Sequence, residues 1–291
     1  MDGVVLASPD NYQISYAINP LTNKKSVVDT KKAMEQFVRL KARFEAHTIP
    51  VHVIPSQAQY PDFVFVSNSA LILRGWPTKV AILSRYAHKE RRGEEERVGA
   101  YLKHVLGYKV ISLPDKDGLY FEGQGDSRYS NEGRHLWMCY GTNGRSTKAG
   151  IEAVRSAIME EALSLNWIPP TIHSLQMVEK KTYHLDLCFL PLPNGKLMLH
   201  TTSFSPASNK EIINHFGKTN VIHVPLKYLY ACNSVCLDEK TLLIPKLDCR
   251  QWMHEKTGMR IEEVNVNEFH LAGGSVSCMV LPLWYGAAIV V

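Results

Sequence analysis

No stretch of the 291 residues approaches the roughly 18 consecutive uncharged apolar positions that a membrane span requires. The opening, MDGVVLASPD, carries neither the basic nor the apolar region of a signal peptide, so a cytoplasmic setting is expected. No Gly/Ser-rich linker or low-complexity run interrupts the chain, and one domain over 1–291 is expected. Cysteine is scarce. Six residues (Cys139, Cys188, Cys232, Cys236, Cys249, Cys278) are too few for a disulfide scaffold of this length and are expected to be mostly buried thiols. Cys232 and Cys236 form a CxxxC pair without a second Cys/His pair at zinc spacing, so packed thiols are expected there, with no metal or other cofactor. The net charge is only +5 and no basic face carries spaced aromatics, which argues against a nucleic-acid partner. The densest basic run, HKERRGEEER at 88–97, holds its own glutamates and reads as a solvated helix or loop.

The composition, 45% hydrophobic and 21% charged, is that of an ordinary globular chain. Strand-length apolar runs recur at 4–6, 51–54, 63–66, 70–73, 80–83, 109–113, 136–139, 185–190, 196–200, 220–224, 241–244, 260–264 and 277–281. Between them lie helical patterns, the clearest at Lys31–His47, where Met34, Phe37, Leu40, Ala42 and Phe44 return at helical spacing and Thr30 offers an N-cap. Others run from about Glu95 to Leu106, Lys148 to Leu165, Asn209 to Phe216 and Asp248 to Thr257. This strand–helix–strand rhythm, with hairpins too tight for uninterrupted parallel crossovers, suits a radial array of small mixed sheets.

Four segments place reactive side chains beside apolar runs. Asp62 and Asn68 bracket Phe63–Val66, as turn formers or as ligands. Glu122 and Asp126 flank glycines in FEGQGD, where the backbone can approach a ligand or simply turn. His184 and Asp186, two apart in an expected strand, share a face, either as a site or as a satisfied core histidine. Cys278 follows the glycine turn of AGGSVSCMVLPL, as a nucleophile or an inert core thiol.

Taken in order, these segments resemble the guanidino-group-modifying superfamily of arginine deiminases, dimethylarginine dimethylaminohydrolases and amidinotransferases, over almost the whole chain. The arginine dihydrolase type is the nearest pattern, through YAINP at 16–20, PDFVFVSNSAL at 61–71, SRY at 84–86, FEGQGD, YHLDLCFLPL, ACNSV at 231–235 and AGGSVSCMVLPL. The chain departs from that type at Leu21-Thr22 and at Ser67-Asn68-Ser69-Ala70.

The resemblance implies a five-bladed, pseudo-symmetric α/β propeller of ββαβ units, the pentein fold, with a small guanidino substrate at its centre and a homo-oligomer left open. It implies Cys278 as nucleophile, His184 as proton carrier and Glu122 supporting it. Asp186 and Asn68 join Glu122 as the clamp, Asp62 and Asp126 join the polar lining, and Arg85 and Arg145 receive a substrate carboxylate. Asn68, where deiminases of this kind carry aspartate, can donate as well as accept and so retain a ureido group for a second attack, and Asn19 points the same way. The expected reaction is hydrolysis of guanidinium C–N bonds of arginine through a covalent thiouronium. Either dihydrolysis to ornithine or single-step deimination to citrulline fits that expectation, and dimethylarginine hydrolysis, amidino transfer and ligand sensing without turnover are the alternatives.

Overall fold

The computed structural model describes residues 1–141 and 145–285. Its fifteen strands form five three-stranded sheets. The first contains β1 (Gly3–Ala7), which leads through α1 (Thr30–Ala46) to its parallel neighbour β2 (Val51–Ile54). Next come β3 (Ala70–Ile72), β4 (Val80–Leu83), α2 (Glu94–His104) and β5 (Lys109–Ile111), then β6 (Ser127–Ser130), β7 (His135–Gly141), α3 (Lys148–Ser164) and β8 (Thr171–Met177). The fourth unit holds β9 (Phe189–Pro191), β10 (Leu197–Leu199), α4 (Pro206–Phe216) and β11 (Val221–His223). The fifth holds β12 (Val235–Cys236), β13 (Thr241–Pro245), α5 (Arg250–Thr257) and β14 (Arg260–Val264). In each, the first two strands are antiparallel and the helix returns the chain to a parallel third strand. The first sheet is completed from the far end of the chain by β15 (Leu281–Leu283), antiparallel to β1 with Gly3 opposite Leu283. These are the five ββαβ blades of an α/β propeller.

Strand alternation closes the ring. Successive side chains of a strand point to opposite faces, so each central strand serves two hydrophobic cores. Val4 and Leu6 join Leu243 of the fifth blade, whereas Val5 and Ala7 join Ala81 and Leu83 of the second. Ile82 faces Leu136 and Met138 of the third, whose Trp137 and Cys139 face Leu197 and Leu199 of the fourth. Met198 then meets Leu242 and Ile244 of the fifth, returning the circuit to its start. A strand buried on both faces needs an unbroken apolar run, which is why VVLA and TLLIP read so clearly.

Helix α1 buries Ala33, Gln36, Phe37, Leu40 and Phe44, while Ala42 stays exposed. Its N-cap is Asp29, whose carboxylate accepts from Lys32 N, and not the expected Thr30, which is the first helical residue. The 88–97 run is solvated only in part: Lys89, Arg92, Glu96 and Arg97 are exposed, but Arg91 is 3% exposed and Glu94 fully buried, joined as an ion pair at 2.6 Å. Phe63–Val66 is turn leading into a 3-10 helix, and the runs at 185–190 and 277–281 also start as 3-10 turns before their strands. Among the described residues no helix is long and apolar enough to cross a membrane.

Candidate active site

Just before the first strand of every sheet the chain makes a short 3-10 turn: Val66–Ser69, Gly123–Asp126, Leu185–Leu187, Leu226–Ala231 and Ser277–Met279. The Val66–Ser69 turn packs on Gly123–Asp126 and on Ser277–Met279, Gly123–Asp126 packs on Leu185–Leu187, and that turn on Leu226–Ala231. Such close approach explains the glycines of FEGQGD. Gly123 has φ +55°, and a Cβ there would lie 2.7 Å from the Ala70 carbonyl oxygen; one on Gly125 would lie 2.0 Å from Asn68 Nδ2.

Cys278 sits in the last of these turns, 2% exposed. Its thiol donates to Asp186 Oδ2 at 3.3 Å and accepts from Asn233 Nδ2 at 3.1 Å. The Asn233 side-chain oxygen accepts from the backbone N–H groups of Ser277 (2.9 Å) and Cys278 (3.3 Å), so one amide orients both the sulfur and its turn. Burial, and then the Asp186 charge, push the Cys278 thiol well above its ordinary value, so the resting sulfur is protonated.

His184 precedes the Leu185–Leu187 turn, and its Nε2 lies 2.8 Å from Glu122 Oε2. Arg145 donates to both Glu122 oxygens, at 2.9 and 3.2 Å, and its guanidinium lies 5.3 Å from the centre of the Tyr183 ring. Burial opposes ionisation of Glu122, yet the Arg145 charge and the His184 hydrogen bond outweigh it and hold this carboxyl well below the usual range. An ionised Glu122 only accepts, so His184 Nε2 is the donor.

Asn68 lies behind this pair. Arg91 Nη1 donates to Asn68 Oδ1 at 3.1 Å, and because a guanidinium has no acceptor this fixes the amide orientation chemically. Asn68 Nδ2 then faces inward and is buried without a hydrogen-bond partner, as is Asp186 Oδ1. Buried polar atoms are nearly always paired. These two are a free donor and a free acceptor on the two central turns that both pack against Gly123–Asp126.

The other expected residues divide. Asp126 is committed internally: its oxygens accept from Ser146 Oγ, Cys139 Sγ (3.2 Å) and Leu185 N (3.2 Å), and burial raises its pKa. It ties the third blade to the fourth, with both oxygens engaged by the scaffold. Asp62 is buried near Arg91 and Arg145, its pKa raised by burial, and its backbone oxygen accepts from Arg91. Arg85 points away, pairing with Asp115 at 2.7 Å and donating to the Lys116 carbonyl, because its strand end bridges Phe121 and carries the side chain toward that loop. Arg145, expected beside the substrate carboxylate, is engaged with Glu122 and the Ile18 carbonyl (3.0 Å). Asn19 donates to the Ala272 carbonyl at 2.9 Å and accepts from Leu21 N and Thr22 N. The segment carrying Ile18 and Asn19 is thus pinned by Arg145 and by the turn ahead of Cys278. With His184 at 2% and Glu122 and Asp186 fully buried, these groups are closed off from solvent. The broad outer hollow lined by Lys246–Trp252, Glu263, Asn265 and Asn267 contains none of these groups.

The chain resembles known proteins in sequence and in fold. The family described as "N,N dimethylarginine dimethylhydrolase, eukaryotic" matches residues 9–285. The chain belongs to this family. Its similar relatives include the bifunctional arginine dihydrolase/ornithine cyclodeaminase of Nostoc sp., 32% identical over 95% of this chain and 37% of the relative. The N(G),N(G)-dimethylarginine dimethylaminohydrolase of Mycobacterium tuberculosis is 25% identical over 96% of this chain and 84% of its own. The chain therefore spans little more than a third of the bifunctional relative. The crystal structure of the N-terminal domain of a cyanobacterial arginine dihydrolase bound to substrate superposes with a TM-score of 0.81, at 28% identity and 96% coverage of each chain.

Within this dimethylhydrolase-family chain, four residues of the site escaped sequence reading. Arg91 and Glu94 were hidden in a charge run, and Asn233 lay in the quoted ACNSV segment without an assigned role. Arg128 reaches Ser277 Oγ at 2.6 Å and Asp186 Oδ2 at 3.7 Å from a strand, SRYS, that has no apolar run to announce it. The one signal for Asn233 was the polar pair Asn233-Ser234 set between Cys232 and Val235.

Proposed function

We propose that this chain is a cysteine hydrolase of arginine that works as a dihydrolase, releasing ornithine, two ammonia and carbon dioxide with two waters consumed. A guanidinium offers only N–H donors, and Asp186 Oδ1 is a buried acceptor for them. The arriving cation offsets the Asp186 charge that holds the Cys278 proton, so substrate binding itself favours the thiolate. Cys278 passes its proton to His184 and attacks the central carbon, and the C–N bond to one terminal nitrogen breaks as His184 hands that proton on to make ammonia. Nε2 faces Glu122, leaving Nδ1 for this transfer. Neutral His184 then deprotonates water, which adds to the thiouronium carbon and expels the thiolate, giving a ureido group.

The single observation favouring a second cycle is the unpartnered Asn68 Nδ2. A guanidinium has nothing to accept from it; a ureido oxygen does. Held there, citrulline presents its carbon to Cys278 again, loses its second ammonia to form a thiocarbamate, and water releases a carbamate that breaks down to ornithine and carbon dioxide. Cys278, His184 and Glu122 are the proposed catalytic residues, with Asp186 and Asn68 as the clamp. Residues 1–291 act as one domain in this reading, and the six unpaired cysteines suit a cytoplasmic setting.

Family membership supports a second reading, hydrolysis of dimethylarginine. Incubation with arginine, citrulline and dimethylarginine, with products identified by mass, separates the two. Ornithine from both arginine and citrulline supports the dihydrolase. Persistent citrulline, or dimethylamine as the main product, overturns it.

A further inference from the structure

Away from the central turns, three imidazoles converge on the outside of the ring. His135 begins β7, His173 lies in the adjacent strand β8, and His215 comes from α4 of the next blade. One ring nitrogen from each lies within 4.8 Å of the others. His135 Nδ1 and His173 Nε2 are 3.1 Å apart. Tetrahedral zinc, with nitrogen ligands at about 2.0–2.1 Å, requires nitrogens about 3.3 Å apart, so this pair needs only a small adjustment.

The surroundings are those of a built site. His173 Nδ1 lies 2.7 Å from Glu211 Oε1, which fixes its tautomer and turns the Nε2 lone pair toward the other two rings. A carboxylate behind a ligating imidazole raises the basicity of the metal-facing nitrogen. The His173 ring lies flat on buried Trp137, 3.7 Å between centroids at 8°, so its direction is set by packing and not by solvent. His215 is exposed, leaving a solvent-facing side for a fourth ligand.

We propose that His135, His173 and His215 bind a divalent transition metal of the zinc type, joining helix α4 of the fourth blade to the sheet of the third. Three imidazoles with one open position suit zinc, copper or nickel and disfavour calcium or magnesium, which prefer oxygen. The site is independent of the guanidino chemistry. No cysteine–histidine pair at zinc spacing marks it in the sequence, because its ligands come from three separate elements.

The test is calorimetric titration of Zn²⁺ into the full chain carrying Cys278→Ser, which removes the central thiol as a competing ligand. The expected result is one ion per chain, with a raised melting temperature. Adding His215→Ala, a change at an exposed position, is expected to abolish that binding while the metal-free melting temperature stays unaltered. Glu211→Gln is expected to weaken binding about 10–100-fold, as removing a carboxylate behind a ligating histidine does. Absence of Zn²⁺ binding at micromolar concentrations overturns the proposal. So does binding that His215→Ala leaves intact, since the ion then lies elsewhere. If Cys278→Ser fails to fold, the same titration on iodoacetamide-blocked wild-type protein decides between these outcomes.

Discussion

Replacing Arg91 by methionine tests both the packing and the proposed chemistry. The guanidinium gives Nε and Nη2 to Glu94, Nη2 also to the carbonyls of Asp62 (3.3 Å) and Phe65 (3.1 Å), and Nη1 to Asn68 Oδ1. Methionine fills similar space and offers no donor. Glu94, fully buried, is then left without its counter-charge, and removing one member of a buried pair costs about 3–5 kcal/mol. That is a large part of the about 5–15 kcal/mol by which domains are stable. Adding Glu94→Leu removes the stranded charge, so the double variant regains most of the loss although neither ion remains. Asn68 is no longer oriented in either variant, so ornithine formation from citrulline stays depressed even in the restabilised protein. Urea unfolding of the wild type and the two variants, with citrulline turnover measured in parallel, separates the two effects. A loss below about 1 kcal/mol for Arg91→Met, typical of exposed pairs, would refute the packing argument. Full citrulline turnover in the double variant would refute the orienting role.

Three further outcomes are expected. Because burial and Asp186 raise its pKa, Cys278 in the free protein should react with iodoacetamide along a pH curve displaced above that of free cysteine, about 8.5; peptide mass mapping showing half-maximal labelling at or below that pH contradicts a protonated resting thiol. Asn233→Ala takes the side-chain acceptor from the buried Cys278 N–H, leaves Ser277 N–H only its 3.3 Å bond to the residue-233 backbone carbonyl, and frees the sulfur, so it should cost about 1–3 kcal/mol in urea unfolding and lower kcat more than it raises KM; unchanged kcat removes Asn233 from the positioning of the nucleophile. Glu122 has a depressed folded pKa, so its contribution to stability is present above the free-carboxyl value of about 4.3 and fades as pH falls through the folded one. The stability gap between wild type and Glu122→Gln should therefore narrow on acidification from pH 7 toward 3, and a constant gap counts against the ion pair.

Which parts were legible follows from which signals are local. Central strands such as Val4–Leu6 and Thr241–Ile244 are buried on both faces and announce themselves as apolar runs, and α1 and α3 carry their periodicity over many turns. Strands β6 and β8, SRYS and TIHSLQM, have mixed patterns and escaped. The motif segments led to the central turns, yet as strands: alternation was invoked to align His184 with Asp186, whereas the backbone coils there and Asp186 instead meets Cys278. Asp126 and Arg85 show the limit of motif reading. A carboxylate in a glycine turn and an arginine beside an aromatic look alike whether they face a ligand or the scaffold, and only partners from other blades decide. Arg91 and Glu94 were missed because a run of alternating charge is usually hydrated, and the pair is buried by residues remote in sequence.

The lacing of β15 to β1 has a consequence for the Cys278 sulfur. Cys278 stands three residues ahead of a strand whose ladder partner is Val4–Val5 and whose turn leans on Asn233 and Asp186. The sulfur takes its amide donor from the fifth blade and its carboxylate neighbour from the fourth, while the strand that follows it is moored to the first. Three blades thus share the task of holding one atom, and slackening the seam between the first and last strands is expected to be felt at the nucleophile.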